Sequence, residues 1–225
     1  MDTMQWLFYK VYSRIVPNYY FLLRKEVKSC RTMIDLGCGN ASPLKYIKSK
    51  NQYTVGVDRF DPYLKKSKEQ FIHDKYIKSD ILKLKLPAKS FECAMALDVI
   101  EHFEKQEGWK LINAMERLAQ KKIVLVTPNG FVPQEIIDSN LYQQHKSGYN
   151  YAEMKKMGFR VYGVNGHKAL RKEEANYRYS PRWIWFIISE ITQLYTCFFP
   201  KKAFQILCVK KTGSKSPNIF TKRDF

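Results

Sequence analysis

The chain has 225 residues, 45% of them hydrophobic, which is enough for one domain with a full core and short for two of average size. Its 39 Lys and Arg against 21 Asp and Glu leave a net charge of +18, which favours nucleic acid, acidic lipid or an anionic substrate without choosing among them. Five cysteines (Cys30, Cys38, Cys93, Cys197, Cys208) never form a C-x-x-C pair, which argues against a disulfide framework or a thiolate zinc site and for a reduced, cytoplasmic setting.

The opening "MDTMQWLFYKVYSRIVPNYYFLL" interrupts its apolar residues with Lys10 and Arg14, the wrong pattern for a signal peptide. Residues 1–31 read instead as an amino-terminal helical segment. Short apolar runs then predict strands at Thr32–Leu36, Tyr53–Val57, Lys75–Lys78, Phe91–Leu97 and Lys121–Thr127. Between them Pro43–Lys50, Pro62–Gln70 and Glu104–Gln120 read as helices, the last with Leu111, Ile112, Met115 and Leu118 at helical spacing. Strands alternating with helices predict an α/β fold, a doubly wound parallel sheet.

Beyond the fifth strand, Asn150 and Glu153 form a capping-box signal for a helix "YAEMKKM", followed by strands "FRVYGV" (159–164) and "FQILCVK" (204–210). These two late strands predict an antiparallel end to the sheet. Within the 165–203 insertion between them, Ser180 as N-cap and Pro181 at the first helical position start another helix. Its residues Trp183, Ile184, Ile187, Ile188, Ile191, Leu194, Tyr195, Phe198 and Phe199 fall on one arc, with Ser189, Thr192, Gln193 and Thr196 opposite. The expected organisation is one domain over 1–212 and a loose basic tail over 213–225.

"MIDLGCGNASPLKYI" carries the strongest chemical signal. A strand, a turn with Gly37 and Gly39, and then a helix let backbone approach a nucleotide at the carboxyl edge of a sheet. Asp58, ending the next strand, is placed to accept from ribose hydroxyls. Both a dinucleotide and S-adenosylmethionine fit this much. Ser42 stands where the dinucleotide fingerprint needs Gly or Ala, and Asp35, two residues before the first Gly, suits a cationic ligand better than a pyrophosphate.

From Thr32 to Thr127 the chain resembles the class I S-adenosylmethionine-dependent methyltransferases. "IDLGCGN" is similar to their D/E-x-G-x-G motif, "VGVD" to the ribose-binding acid, "KSDI" to the adenine segment, and "FECAMALDVIEHF" and "IVLVTPNG" to strands four and five. Ala41 replaces a frequent third glycine. The resemblance implies a Rossmann-like seven-stranded sheet whose last strand is antiparallel, with S-adenosylmethionine as cofactor. It places Asp35, Gly37, Cys38 and Gly39 at the methionine end, Asp58 and Arg59 at the ribose, Asp80 and Ile81 at the adenine, and Leu97 and Asp98 near the amino group.

"DVIEHF" at 98–103 leaves three roles open. Asp98, Glu101 and His102 shape the exit of strand four; or His102 is a general base; or the run holds a metal. The last rests on a weaker resemblance to small-RNA 2′-O-methyltransferases, which have an acid-x-x-Glu-His run, a "TPN" and a later histidine. It implies Asp98, Glu101, His102 and His145 as alternative ligands. His145 otherwise reads as a substrate-side residue, and His73 and His167 as surface residues.

Aromatic residues at Trp6, Phe8, Tyr9 and Tyr12, at Tyr142 and Tyr149, and along 183–199 predict a small, apolar or flat acceptor. RNA is the alternative acceptor, and a non-catalytic binding module the alternative from another class. The 183–199 helix either packs as core, dimerises, or lies in a membrane interface, where the basic 178–202 region suits an anionic surface. With Glu190 inside it, the stretch is short for a span of about 20 residues.

Overall fold

The structure is a computed structural model that describes residues 16–136, 138–172 and 176–213. Seven strands, β1 (Thr32–Leu36), β2 (Tyr53–Asp58), β3 (Lys75–Lys78), β4 (Phe91–Leu97), β5 (Ala119–Pro128), β6 (Arg160–His167) and β7 (Ala203–Lys211), form one sheet in the order β3-β2-β1-β4-β5-β7-β6. β1 to β5 pair in parallel, whereas β7 runs antiparallel to both β5 and β6. This is the doubly wound sheet with an antiparallel last strand that the sequence implies.

Among the described residues six α-helices accompany it: α1 (Tyr19–Val27), α2 (Leu44–Ile47), α3 (Asp61–Glu69), α4 (Lys105–Leu118), α5 (Tyr151–Lys156) and α6 (Arg182–Thr196). Central strands covered on both faces need apolar residues without alternation, and β5 is buried from Ile123 to Pro128. On one face α4 buries Leu111, Ile112, Met115 and Leu118 against Ile34, Leu36 and Ala96. On the other, Leu22, Leu23 and Val27 of α1 meet Met33, Met95 and Val124. α1 starts at Asn18, whose side chain accepts from Phe21 N at 3.0 Å. The Asn150–Glu153 capping box forms at α5 as the sequence predicts. The helix expected over Pro43–Lys50 shrinks to the four residues of α2, because Lys48 turns extended.

α6 sits in the chain between β6 and β7, but turned opposite to the usual arrangement. Ser189, Gln193 and Thr196 are buried, while Trp183 is 66%, Ile191 63% and Phe198 76% exposed. The core alternative for this helix is therefore corrected: its polar face covers the sheet and its apolar arc faces outward. Glycines on β6 are the reason. A Cβ on Gly163 would stand 2.1 Å from the Thr196 carbonyl oxygen, and one on Gly166 (φ +72°) 2.3 Å from Ser189 Oγ, so the helix lies directly on strand backbone. Backbone at that distance must be matched by polar groups. Gln193 Nε2 donates to Gly163 O (3.0 Å) and Pro17 O (2.8 Å), its Oε1 accepts from Gly166 N, and Thr192 Oγ1 accepts from His167 N. Ser180 does not cap the helix: the N-cap position is Pro181, without a side-chain bond. Among the described residues no helix is long and apolar enough to cross a membrane.

Candidate cofactor and acceptor site

At the carboxyl edge of the sheet the chain leaves β1 through a turn whose Gly37 and Cys38 amides donate to Val57 O at 2.7 and 3.0 Å. Gly37 (φ +74°) admits no side chain, since a Cβ would come within 2.7 Å of Val99 Cγ2, and Gly39 (φ +57°) faces open space. The turn is tied to the end of β2 because Gly39 N donates to Asp58 Oδ2 at 2.9 Å, while Phe60 N donates to Oδ1 at 2.8 Å. Burial raises the Asp58 carboxyl above its usual range, against the lowering effect of these amides.

A cleft opens here, bordered by Gly37, Gly39, Asp58, Arg59, Asp80, Ile81, Asp98 and His102. Asp80 accepts from Leu82 N at 2.9 Å and so starts the turn over Ile81–Lys83. Arg59 lies 3.6 Å from Asp80 Oδ2 and stacks over the Tyr142 ring at 3.7 Å. Tyr142, expected on the acceptor side, thus closes the edge of the cleft assigned to the ribose and adenine. Sequence reasoning missed its neighbours Asn140, Gln143 and Lys146, which also line the cleft. No motif marks them, because the segment after β5 reaches the cleft only by folding back.

Asp35, Cys38 and Leu97 do not line the cleft. Asp35 is buried behind it, where Ser42 Oγ donates to it at 2.6 Å and His73 Nε2 lies 3.5 Å away. Burial pushes Asp35 up to about 7 and His73 down to about 4, so His73 is neutral near pH 7 and the contact is no ion pair. His73 was expected on the surface; it is 5% exposed. With the Cys38 thiol it fills the space beside Gly56, where a Cβ would meet His73 Cδ2 at 2.5 Å and Cys38 Sγ at 2.9 Å. Because Asp35 titrates higher in the folded chain than its ordinary ~3.9, ionising it opposes folding. The Asp35 contribution is unpenalised below about pH 4, falls as pH rises to about 7 by up to roughly 4 kcal/mol, and is level above, while His73, lowered to about 4, acts in the opposite sense as pH rises to about 6.5. Thermal melts of the ligand-free protein are expected to show Asp35→Asn gaining stability relative to wild type as pH rises through that window; a difference that stays constant with pH would contradict this.

Asp98, at the exit of β4 with φ +56°, accepts from Gln205 Nε2 at 2.7 Å. Water reaches it from the cleft, yet the depth of the cleft desolvates its carboxyl and pushes it up to about 6. Glu101 points the other way, buried at 2% exposure, and burial followed by the Asp98 charge pushes it well above the usual carboxylate range. Its carbonyl accepts from Lys146 N (2.9 Å) and Ser147 N (3.1 Å), which brings the His145 ring to 4.9 Å from that of His102. His102 Nδ1 lies 3.2 Å from Gln144 O and His145 Nδ1 2.6 Å from Val132 O. Burial, before the repulsion from His145, pulls His102 down to about 4, and burial lowers His145 as well.

Two sequence expectations are corrected. The alternative metal set does not converge: among the described residues no three His, Cys, Asp or Glu side chains are placed to hold a metal ion. Tyr149 is no acceptor contact but core, its hydroxyl where a Cβ on Gly108 would sit within 2.0 Å, and Lys105 Nζ lies 3.9 Å from its ring centroid. Trp6, Phe8, Tyr9 and Tyr12 fall outside the described residues.

The fold thus sets a cleft at the carboxyl edge of the sheet, with a Gly turn at the end of β1 and an acid at the end of β2 on its border. Residues 34–126 match the family described as methyltransferase domain. A curated relative, the sterol 24-C-methyltransferase erg-4 of Neurospora crassa, is 24% identical over 108 residues, or 45% of this chain and 28% of the relative. The match spans little more than a quarter of that protein's length. Among solved structures, an S-adenosylmethionine-dependent methyltransferase from Archaeoglobus fulgidus superposes with a TM-score of 0.53 at 18% identity, covering 90% of this chain and 99% of that one. The methyltransferase domain of bacterial CtHen1-C gives 0.55 at 15%, over 86% and 96%. The plantazolicin methyltransferase BpumL, solved with S-adenosylhomocysteine, gives 0.52 at 15%, over 86% and 79%. Residues 34–126 therefore match a methyltransferase domain over less than half of the chain, on the fold that these solved methyltransferases share.

Proposed function

We propose that the chain transfers the cofactor's methyl group to a small acceptor, apolar or flat, which enters the cleft beside His102 and Phe103. The observation that carries the reading is the acidic cleft itself: in a chain of net charge +18, Asp58, Asp80, Asp98 and Glu107 line it against Arg59 and Lys146. Such a lining fits a ligand with a cationic sulfonium and ammonium and a ribose, and opposes a pyrophosphate. Asp58 is placed for the ribose hydroxyls, with the adenine between Ile81 and the segment around Tyr142.

Bound there, S-adenosylmethionine supplies a methyl group activated on a sulfonium. The protein's part is then to hold the acceptor in line, exclude water and, for an acceptor that must lose a proton, receive that proton. His102 suits the last task. A carbonyl only accepts, so the proton of the neutral ring sits on Nδ1 facing Gln144 O, and Nε2 keeps its lone pair. The weak resemblance to a sterol methyltransferase and the fold likeness to the plantazolicin enzyme are compatible with a small acceptor. Transfer from labelled cofactor into lipid, small-molecule and RNA fractions tests the reading. Label in a lipid or small-molecule fraction supports it, and label only in RNA overturns it.

A pH profile tests the role of His102. The wild-type acid limb attributable to this imidazole should lie near pH 4, so kcat/KM should not fall between pH 8 and pH 6 on its account. His102→Ala should lower kcat by about 100-fold with little change in cofactor affinity. An unchanged kcat would leave the residue a shape-giving role only.

A further inference from the structure

The arc that α6 turns outward is continuous and uncharged: Trp183, Ile187, Ile191, Leu194, Tyr195 and Phe198 are each about half exposed or more. Soluble proteins seldom leave such a stripe to water. Its polar side is committed, since Ser189, Gln193 and Thr196 are buried on β6, so the helix cannot rotate to hide the arc without breaking the bonds to Gly163 and Gly166.

Cations flank the arc. Arg178 and Arg182 precede it, Lys201 and Lys202 follow it, and Arg178 and Lys202 also line a surface cavity together with Lys168, Arg171 and Lys172. Among the described residues bordering that cavity none is acidic, and the charge on α6 itself is confined to Arg182 and Glu190, the latter near Arg171. Phe131 and Phe204 form its apolar rim and floor. The cavity begins at Asn129, just past the end of β5, so it lies on the carboxyl side of the sheet, as the cofactor cleft does.

The geometry points to α6 as an interfacial membrane anchor: its apolar arc lies in the acyl boundary of an anionic bilayer, and the cations beside it meet lipid phosphates. An uncharged aromatic arc edged by Arg and Lys matches a surface with apolar depth and negative headgroups. A soluble acidic protein would leave the arc unsatisfied, and neutral lipid would leave the cations unused. No described helix spans a bilayer, so the contact is peripheral. The anchor goes beyond the methyl-transfer reading and does not depend on it.

Co-sedimentation of the full chain with vesicles of phosphatidylcholine, with or without phosphatidylglycerol, tests the anchor. Binding is expected to the mixed vesicles, weakened by salt, with a blue shift of tryptophan emission. Ile187→Glu/Ile191→Glu, at positions 49% and 63% exposed, should bind more than about tenfold more weakly while keeping its melting temperature and cofactor affinity. Arg178→Gln/Lys202→Gln should lose the preference for phosphatidylglycerol. Equal sedimentation of wild type and the double glutamate variant would overturn the proposal. So would a wild-type dimer that ignores vesicles and dissociates in that variant, which makes the arc a self-association surface. Vesicle binding that appears only after removal of residues 1–15 would assign the arc to the chain's own amino terminus and also overturn it. Cofactor affinity, read by calorimetry on the same samples, shows separately whether the methyltransferase reading stands.

Discussion

Asp58→Ala is expected to weaken S-adenosylmethionine binding by about 100-fold while leaving the sheet folded. The carboxylate ends β2 at the cleft, and its two oxygens already hold Gly39 N at 2.9 Å and Phe60 N at 2.8 Å. Those bonds leave a lone pair on each oxygen free to accept from ribose hydroxyls, and hydrogen bonds to a charged acceptor contribute about 1.5–3 kcal/mol each. The substitution also frees the Gly39 amide, loosening the turn that the cofactor would meet. Asp58→Asn keeps one acceptor and should fall between the two. Calorimetric titration reads the effect, and an Asp58→Ala protein with wild-type affinity would place the cofactor elsewhere.

Gly163→Ala and Gly166→Ala should each destabilise the protein by about 3 kcal/mol, a loss visible as a lower midpoint in urea. The new methyl would meet the Thr196 carbonyl at 2.1 Å in one case and Ser189 Oγ at 2.3 Å in the other, and at Gly166 a φ of +72° adds backbone strain. Neither site can yield by turning a side chain alone, because Ser189 O lies 2.5 Å from the Gly166 methyl as well. α6 would have to lift off β6, taking the Gln193 bonds with it. Gly213→Ala, at φ +93° with nothing within 4 Å, is the control for backbone strain without a clash and should cost less. Equal midpoints for the three variants would show that α6 is not seated as described.

The strands were legible because buried parallel strands write continuous apolar runs: β1 and β4 fall on Thr32–Leu36 and Phe91–Leu97 as read, and the half-exposed edge strand β3 on Lys75–Lys78. Gly37, Gly39, Asp58 and Asp80 were legible as cofactor candidates because a nucleotide at a sheet edge constrains residue types at short range, and the structure brings all four to one cleft. The orientation of α6 was not. A helical wheel gives the separation of polar and apolar faces but not which one meets the protein, and here two glycines on the preceding strand, outside the helix itself, decide it. His73 illustrates the same limit: only the space beside Gly56 makes room for its ring, and no pattern around "FIHDKY" reports that space. Tyr149 looked like a pocket aromatic because its partner, the bare turn of α4 at Gly108, lies in another element.

The central claim is that the carboxyl-edge cleft holds S-adenosylmethionine. Equilibrium titration of the wild-type protein with S-adenosylmethionine, with a nicotinamide dinucleotide as the comparison, tests it most directly. Saturable one-to-one binding of the sulfonium cofactor, and none of the dinucleotide, is the result expected from a cleft lined by four carboxylates. Binding of the dinucleotide in preference, or of neither, would contradict it.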